Sequence, residues 1–555
     1  MAEKIVIVGG VAGGASAAAR ARRVDEHAQI VLFERDEFVS FANCGLPYYV
    51  GGEIKDREDL LVATVDMLKA RFNIDIRTFS EVVKIDRAGK TVRVKNRVTS
   101  EEYDETYGKL LLAPGAAPIR PPLEGIDLDT IFTVRNIPDT DRIKQFLDTR
   151  APESAVVVGG GFIGLEMAEQ LVNRGVRVSI VEMLDQVMPP MDYDMACIVH
   201  ERLIEKGVEL RLGDGVKGVR KQGEKTVVTT QSGAELPCDL VVLSIGVRPE
   251  NGLAKDAGLD LGERGGILVN DRMQTSDPDI YAVGDAVEVK DFVSGTKAMI
   301  PLGGPANRQA RIAADNMLGR SATYRGTQGT AVVRVFDLTV ASTGMSEKLC
   351  KRLGVDHLVS YTHSGSHAGY YPGAEMMAVK LVFAPGGGKV LGAQIIGKDG
   401  ADKRIDVIAM AIQGGMTVFD LEEAELAYAP PFGSAKDPVN IAGFVAANML
   451  KGDFSTVNWH EMDAIRNDDS FVLLDVRMKE ELDEAGQIPG ALHIPLPMLR
   501  ARLDKLDKSK TYVPFCAIGL RGYIACRILT QNGFKAKNLS GGYKTWKIVE
   551  KQKKA

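Results

Sequence analysis

The chain has 555 residues, 45% of them apolar and 26% charged, with a formal net charge of −5. This is ordinary globular composition, and at about 100–200 residues per domain the length predicts three to five domains. No basic stripe dominates, which argues against a nucleic-acid surface, and the longest apolar runs, such as 240–247, fall far short of the ~20 residues that a membrane span needs. The first residues lead directly into Ile5-Val-Ile-Val8 without an apolar leader, so no secretory signal is expected. Cys44, Cys197, Cys238, Cys350, Cys516 and Cys526 form no C-x-x-C pair, a pattern that predicts a reducing cytoplasm. The histidines are scattered without ligand spacing, and no metal site is expected.

Strand-like residues 5–8 run into Gly9-Gly10-Val11-Ala12-Gly13-Gly14, followed by an alanine-rich helical stretch and a second strand that ends in Glu34. This order reads as a βαβ dinucleotide-binding unit. Gly9 and Gly14 let the backbone approach a pyrophosphate at the positive end of a helix, and Glu34 accepts hydrogen bonds from ribose hydroxyls. Val11 stands where the middle glycine is expected, which alters the approach to the first nucleotide. Residues 109–118 read as a buried strand closing onto a turn at a domain crossover. From 155 the unit recurs, with an intact Gly159-Gly160-Gly161-Phe-Ile-Gly164, a helix, and a strand ending in Glu182. One glycine motif is a weak signal; two, each with its acid, are specific. Met183-Leu184 follow Glu182 where an arginine would suit a 2′-phosphate, so NADH is expected over NADPH. Residues 240–249 look like the counterpart of 109–118, and a strand then ends at Gly284-Asp285.

From about 324 to 450 the pattern changes to alternating strands (331–335, 378–383, 390–397) and a helix (404–414), which predicts a separate α+β domain. Residues 451–456 read as a short polar linker. Residues 457–555 read as a small α/β domain with strands at 471–474 and 510–515, and the lysine-rich stretch from 544 onward as a solvated terminal helix.

The two glycine units together with 275–286 resemble the flavoprotein reductases with two dinucleotide-binding domains. The resemblance implies an α/β fold: two Rossmann-like domains for FAD and NAD(P)H, an α+β dimerisation domain, and the C-terminal α/β domain. It implies limits at 1–118 and 249–323 for the FAD domain, 119–248 for the NADH domain, 324–450 for dimerisation and 457–555 for the last domain. It also implies that Glu34 holds the FAD ribose, Gly284 and Asp285 the ribityl chain, and Glu182 the NAD ribose. Ser40-Phe-Ala-Asn43-Cys44-Gly-Leu-Pro47 carries one cysteine and no partner nearby, and it resembles the coenzyme A-disulfide reductases. Ser366-His-Ala-Gly-Tyr370-Tyr371-Pro-Gly373, Gly400-Ala-Asp-Lys-Arg404 and Ala427-Tyr428-Ala-Pro-Pro431 extend the likeness. The C-terminal portion resembles a rhodanese domain through Leu474-Asp475-Val-Arg477, Gly486 to Leu496, Phe515-Cys516-Ala-Ile-Gly-Leu-Arg521-Gly522 and Leu539 to Trp546. The whole chain resembles a fused coenzyme A-disulfide reductase–rhodanese. This implies reduction by NADH, through FAD, of coenzyme A persulfide, coenzyme A disulfide or polysulfide.

Asn43, Gly45 and Pro47 are awkward neighbours for a regular buried element, which marks Cys44 as a working thiol; a lowered thiol pKa is expected to activate it. With one protein thiol, the partner sulfur must come from the substrate, and coenzyme A would supply it. A groove near Ser40 and Asn43 is expected to take coenzyme A, with Arg22 and Arg23 for its phosphates. In the resembled family a tyrosine pair completes the active site of the other subunit of a homodimer. Tyr370 and Tyr428 match that pair, with Tyr371 as the neighbouring substrate-side candidate. Cys516 opens a glycine-containing loop before a helix, which directs backbone N–H groups at its sulfur. Its Cys-x4-Arg spacing to Arg521 favours sulfur transfer over phosphate binding. The other four cysteines carry no motif and read as core. Two alternatives stand beside this reading. One is a water-forming NADH oxidase of the same fold, in which a histidine is expected where Ala12 stands. The other is a sulfurtransferase or sulfur carrier that uses the flavin part as scaffold.

Overall fold

Two runs of apolar residues, Lys4–Val8 and Ser154–Val158, each form the middle strand of a five-stranded parallel sheet. Strands buried on both faces read as continuous apolar runs rather than alternating ones, and that is the pattern at both sites. The computed structural model describes residues 3–553, so Met1, Ala2 and the last two residues of the lysine-rich stretch lie outside the described residues. Chain contacts divide it into two units, Met1–Asp185 with Gly207–Gly329, and Gln186–Lys206 with Thr330–Ala555.

In the first unit, Lys4–Val8 lies between Gln29–Phe33 and Lys109–Leu112, with Asp75–Arg77 and Ile280–Ala282 at the edges. Ser154–Val158 lies between Arg177–Glu182 and Leu240–Leu243, with Glu209–Leu212 and Ile131–Thr133 outside them. Each glycine turn is enforced by packing. Gly9 and Gly159 have φ of +96° and +104°, a region that suits glycine. A Cβ at Gly14 or Gly164 would sit 1.7 or 2.0 Å from the carbonyl oxygen of Gly9 or Gly159.

The second unit contains an antiparallel sheet ordered Ala331–Val335, Leu338–Gly344, Val390–Gly397, Met376–Phe383 and Leu358–Gly365. It also contains a parallel sheet ordered Ser455–Val457, Lys535–Leu539, Thr511–Phe515, Phe471–Asp475 and Leu492–His493. Three expectations change here. The stretch read as a polar linker contributes strand Ser455–Val457, and Phe454 is buried with its ring 4.7 Å from that of Tyr523. The terminal helix Gly542–Lys553 buries Tyr543, Trp546 and Val549, so only one face of it is solvated. Helix Tyr193–Glu205, placed by sequence order in the NADH domain, groups with the C-terminal unit.

The cause of that last change is a buried ion cluster. Lys380 Nζ, with no exposed surface, lies 3.0 Å from Asp192 Oδ2, 2.8 Å from Asp194 Oδ2 and 2.7 Å from Glu347 Oε2. Tyr361 donates its hydroxyl and Trp459 its Nε1–H to the same Asp194 oxygen, at 2.6 and 2.8 Å. Gln394 donates to Asp192 at 2.7 Å, as do the backbone N–H groups of Glu347 and Lys348 at 3.0 and 2.9 Å. Burial opposes the charge on Lys380, but the surrounding acids hold its ammonium well above the usual lysine value. Burial likewise opposes the charge on Glu347, yet Lys380 and Lys351 bring its carboxyl down to about 2. Among the described residues, no helix is long and apolar enough to cross a membrane.

Removing one member of such a cluster strands the others without a counter-charge. Lys380→Met is expected to cost about 3–5 kcal/mol and lower the melting temperature by on the order of 10 °C. A thermal scan that shows no shift would mean that the cluster does not hold this unit together.

Candidate active site

The acids at the ends of the two βαβ units are each half spent on their own glycine turn. Glu34 accepts the N–H of Gly10 at 2.8 Å and of Asp36 at 3.0 Å, while burial pushes its carboxyl up. Glu182 accepts the N–H of Gly160 at 2.7 Å and of Leu184 at 2.9 Å. A carboxylate has about four acceptor positions, so each acid keeps lone pairs for a ribose. A Cβ at Gly161 would meet nothing within 4 Å, so no packing demands glycine there, and its value is the bare backbone that it offers an approaching phosphate. In the first unit that role falls to Val11. Gly284 has φ +84° and donates its N–H to the buried Gln309 side chain at 2.8 Å; burial pushes the carboxyl of the neighbouring Asp285 up. These cradles fit two dinucleotides.

Cys44 lies in a short 3-10 turn, Asn43–Gly45, that leads into helix Leu46–Gly51. It is the exposed member of six free cysteines; the other five are buried. Burial pushes the thiols of Cys238 and Cys350 up to about 12 and 11, and that of Cys526 further still. The expected lowering of the Cys44 pKa is not found. Partial burial in its recess raises it, and the carboxylates of Glu166 and Asp285 add to the effect. Glu166, which also accepts the Tyr48 hydroxyl at 3.1 Å, comes from helix Phe162–Asn173, too distant in sequence for the reading of Cys44 to include it.

Beside Ser40 lies a cavity of about 330 Å³ lined by Ala15, Ser16, Ala19, Arg20, Arg23, Ser40, Leu68, Asn307 and Arg311. Ser40 is held at φ +48°, a left-handed conformation uncommon outside glycine, and its N–H donates to Gly10 O at 2.9 Å. Arg23 reaches this cavity, but Arg22 does not. Arg22 is 6% exposed and donates to the carbonyls of Phe72 at 2.8 Å and Asn73 at 2.9 Å, and to those of Asp25 and Glu26. It ties the end of its own helix to the end of helix Val65–Phe72 and spends four of its five N–H groups on backbone carbonyls away from the cavity, which corrects that expectation. Sequence reading missed Arg20, Asn307 and Arg311. Arg20 is paired with Asp315 at 2.8 Å, which leaves Arg23 and Arg311 as the cavity's cations without a carboxylate at salt-bridge distance.

In the second unit the Tyr370 and Tyr428 hydroxyls hydrogen-bond to each other at 2.6 Å, with Tyr370 75% exposed. Tyr371 turns instead to His367, with ring centroids 5.6 Å apart. The loops that present the pair are joined by buried Arg404, which donates to Ser366 O at 2.8 Å and Gly400 O at 3.2 Å and pairs with Asp437 at 2.8 Å.

Cys516 follows strand Thr511–Phe515, is 1% exposed, and accepts the Gly519 N–H at 3.2 Å on its sulfur. Its loop is held from behind: the N–H groups of Tyr543 and Lys544 donate to the carbonyls of Cys516 and Ala517 at 2.8 and 2.9 Å. Gly542 is needed there, because a Cβ would lie 2.5 Å from Cys516 O. Arg477 is fully enclosed, pairs with Asp475 at 2.6 Å and lies 4.0 Å from the centre of the Tyr543 ring. Arg521 forms a two-pronged pair with Glu481, which the sequence reading did not single out.

Two nucleotide cradles, a lone exposed thiol beside two carboxylates, and a second, buried cysteine whose sulfur accepts a backbone N–H define a flavin- and nicotinamide-linked sulfur oxidoreductase. Residues 3–310 match the pyridine nucleotide-disulphide oxidoreductase family, 330–438 its dimerisation domain, and 458–548 the rhodanese-like domain. The chain belongs to the pyridine nucleotide-disulphide oxidoreductases. It is 37% identical to a coenzyme A disulfide reductase of Staphylococcus haemolyticus over 447 residues, 80% of this chain and 100% of that one. The crystal structure of reduced CoADR-RHD from Bacillus anthracis matches with a TM-score of 0.97 and 52% identity, covering 100% of this chain and 99% of that one. A NAD-dependent persulfide reductase from A. fulgidus matches with a TM-score of 0.91 and 40% identity, covering 98% and 100%. The fold class and the order of domains read from the sequence are those found.

Because carboxylates near a thiol disfavour its thiolate, Glu166→Gln is expected to lower the pH midpoint at which Cys44 becomes reactive. The rate of iodoacetamide labelling against pH, with Cys44→Ser as the blank, measures it; an unchanged or raised midpoint would contradict the assignment of Glu166.

Proposed function

We propose that this protein uses NADH, through FAD, to reduce coenzyme A persulfide, coenzyme A disulfide or polysulfide at Cys44, with the rhodanese domain accepting or delivering sulfane sulfur at Cys516. The observation that carries this reading is the exposure of Cys44 alone among the cysteines, so that its disulfide partner has to arrive with the substrate. The Staphylococcus relative is a coenzyme A disulfide reductase, which supports coenzyme A-linked sulfur, and the A. fulgidus structure is a persulfide reductase, which supports a persulfide as substrate.

Bound FAD would supply the two-electron relay from NADH to sulfur. The chain's own residues do the rest. Glu34 and Asp285 hold the flavin nucleotide, while Glu182 holds the nicotinamide nucleotide by its ribose. Cys44 Sγ, as thiolate, attacks a substrate disulfide R–S–S–R′; the Cys44–S–S–R bond forms, the substrate S–S bond breaks, and R′–S⁻ leaves. Two electrons then cleave that mixed disulfide to Cys44 thiolate and R–S⁻. Tyr370 and Tyr428, from the second copy of a homodimer, present their paired hydroxyls to departing thiolates and give them a proton. Arg23 and Arg311 take the phosphates of coenzyme A in the cavity beside Ser40, whose volume is at the small end of the roughly 300–1,000 Å³ usual for small-molecule sites. Six cysteines that form no disulfide fit a reducing cytoplasm. The oxidase and carrier alternatives give no use to one or other half of these features.

Two outcomes test the assignment. In the holoenzyme, Cys44→Ser should keep the reduction of flavin by NADH and abolish coenzyme A disulfide turnover, whereas Cys516→Ser should keep that turnover and impair reactions fed by bulky or insoluble sulfur donors. Turnover surviving Cys44→Ser would sink the reading. Arg23→Ala and Arg311→Ala should each raise KM for coenzyme A disulfide by about tenfold or more. Arg22→Ala should instead lower the melting temperature with KM unaffected, and the reverse pattern would restore the phosphate role of Arg22.

A further inference from the structure

The mouth of the Cys516 site holds a cation that is already neutralised. Arg521 Nη1 donates to Glu481 Oε2 and Nη2 to Glu481 Oε1, both at 2.6 Å, the two-pronged geometry in which a guanidinium meets a carboxylate or an oxyanion. Glu481 is itself fixed, because its Oε2 accepts the Met478 N–H at 3.0 Å. Hydrogen bonds from Arg521 bring its carboxyl down to about 2, so it stays charged throughout the working pH range. Arg521 also interacts with the Cys516 sulfur. A second arginine of the same site, Arg477, is spent on Asp475 and on Gly486 O at 2.9 Å.

We propose that Glu481 is a specificity residue: by occupying Arg521 it turns the Cys516 site away from dianionic thiosulfate and toward an organic persulfide, which carries at most one negative charge and reacts through its neutral R–S–SH form. This rests on the reading of Cys516 as a sulfane-sulfur acceptor. The step is Cys516–S⁻ + R–S–SH → Cys516–S–SH + R–S⁻. A bond forms between Cys516 Sγ and the outer sulfur, the R–S bond to that sulfur breaks, its proton travels with it, and no outside oxidant or reductant is needed. Thiosulfate in the same step would release sulfite, whose oxygens call for a guanidinium with free N–H groups. Arg521 has given two of its own to Glu481. An alkyl persulfide, whose departing group is a thiolate without oxygens, makes no such demand.

Persulfide loading of Cys516 in the full-length holoenzyme, followed by intact-protein mass spectrometry, tests this with two donors, thiosulfate and N-acetylcysteamine persulfide. Cys516→Ser provides the blank. The wild-type protein should load faster from the persulfide. In Glu481→Gln the ratio of the two rates should fall about tenfold through a faster thiosulfate reaction, the scale of one charge–charge contact at a partly exposed site. Glu481→Asp, which keeps the charge, should restore the wild-type preference. A damaged loop slows both donors and accelerates neither, so equal losses in Glu481→Gln would overturn the proposal, as would an unchanged ratio or a wild-type preference for thiosulfate. No loading above the Cys516→Ser blank from either donor would overturn the underlying reading of Cys516 instead.

Discussion

Lys380 is a cation with no water around it, and the C-terminal unit is arranged to make that tolerable. Its three carboxylate partners sit just before and in the first turn of helix Tyr193–Glu205 and on helix Glu347–Leu353, and Trp459 brings a donor from the rhodanese part to the Asp194 oxygen. A hydrophobic contact survives a small slip, but a buried carboxylate that loses its ammonium does not. The cluster therefore specifies a single seating for several segments at once. Tyr361 N–H on Ser540 Oγ at 3.2 Å and His363 on Thr545 at 3.0 Å extend the same seam with uncharged bonds.

The two sulfur sites solve opposite problems. Cys44 is accessible but surrounded by influences that keep its proton on, so the chain alone does not make it a strong thiolate. Cys516 is enclosed instead, with a backbone N–H aimed at the sulfur and a loop braced by Tyr543 and Lys544. That enclosure suits the sulfur-transfer role proposed above.

What was legible in the sequence followed from local rules. Gly9, Gly14, Gly159 and Gly164 announce both nucleotide folds because a Cβ at any of them would collide with backbone, and β-branched strands before them announce a buried parallel sheet. Arg22 was misread although the signal was present: along helix Ala12–Val24, Ser16, Arg20 and Arg23 fall on one face by 3.6-residue spacing, and Arg22 falls among Ala18 and Ala21 on the buried one. Phe454 in a supposedly polar linker was a similar clue. The position of helix Tyr193–Glu205 was not legible, since Asp194 meets Lys380 across 186 residues and no local pattern encodes that pairing. Nor was the direction of the Cys44 shift, which depends on Glu166 and Asp285 arriving from remote parts of the chain.

Glu182 serves the empty turn as well as the filled one. Its two backbone bonds, to Gly160 and Leu184, shape the loop before any nucleotide arrives. A redesign toward the phosphorylated coenzyme by the usual route, replacing this acid with a small or basic residue, thus removes the keystone of the loop together with the unwanted charge. The altered pocket would gain tolerance for a phosphate while losing the preformed shape that makes binding cheap in entropy, and the affinity for both coenzymes would fall together. A workable exchange has to supply a substitute acceptor for those N–H groups, so a change of coenzyme here involves the loop backbone as well as the side chain.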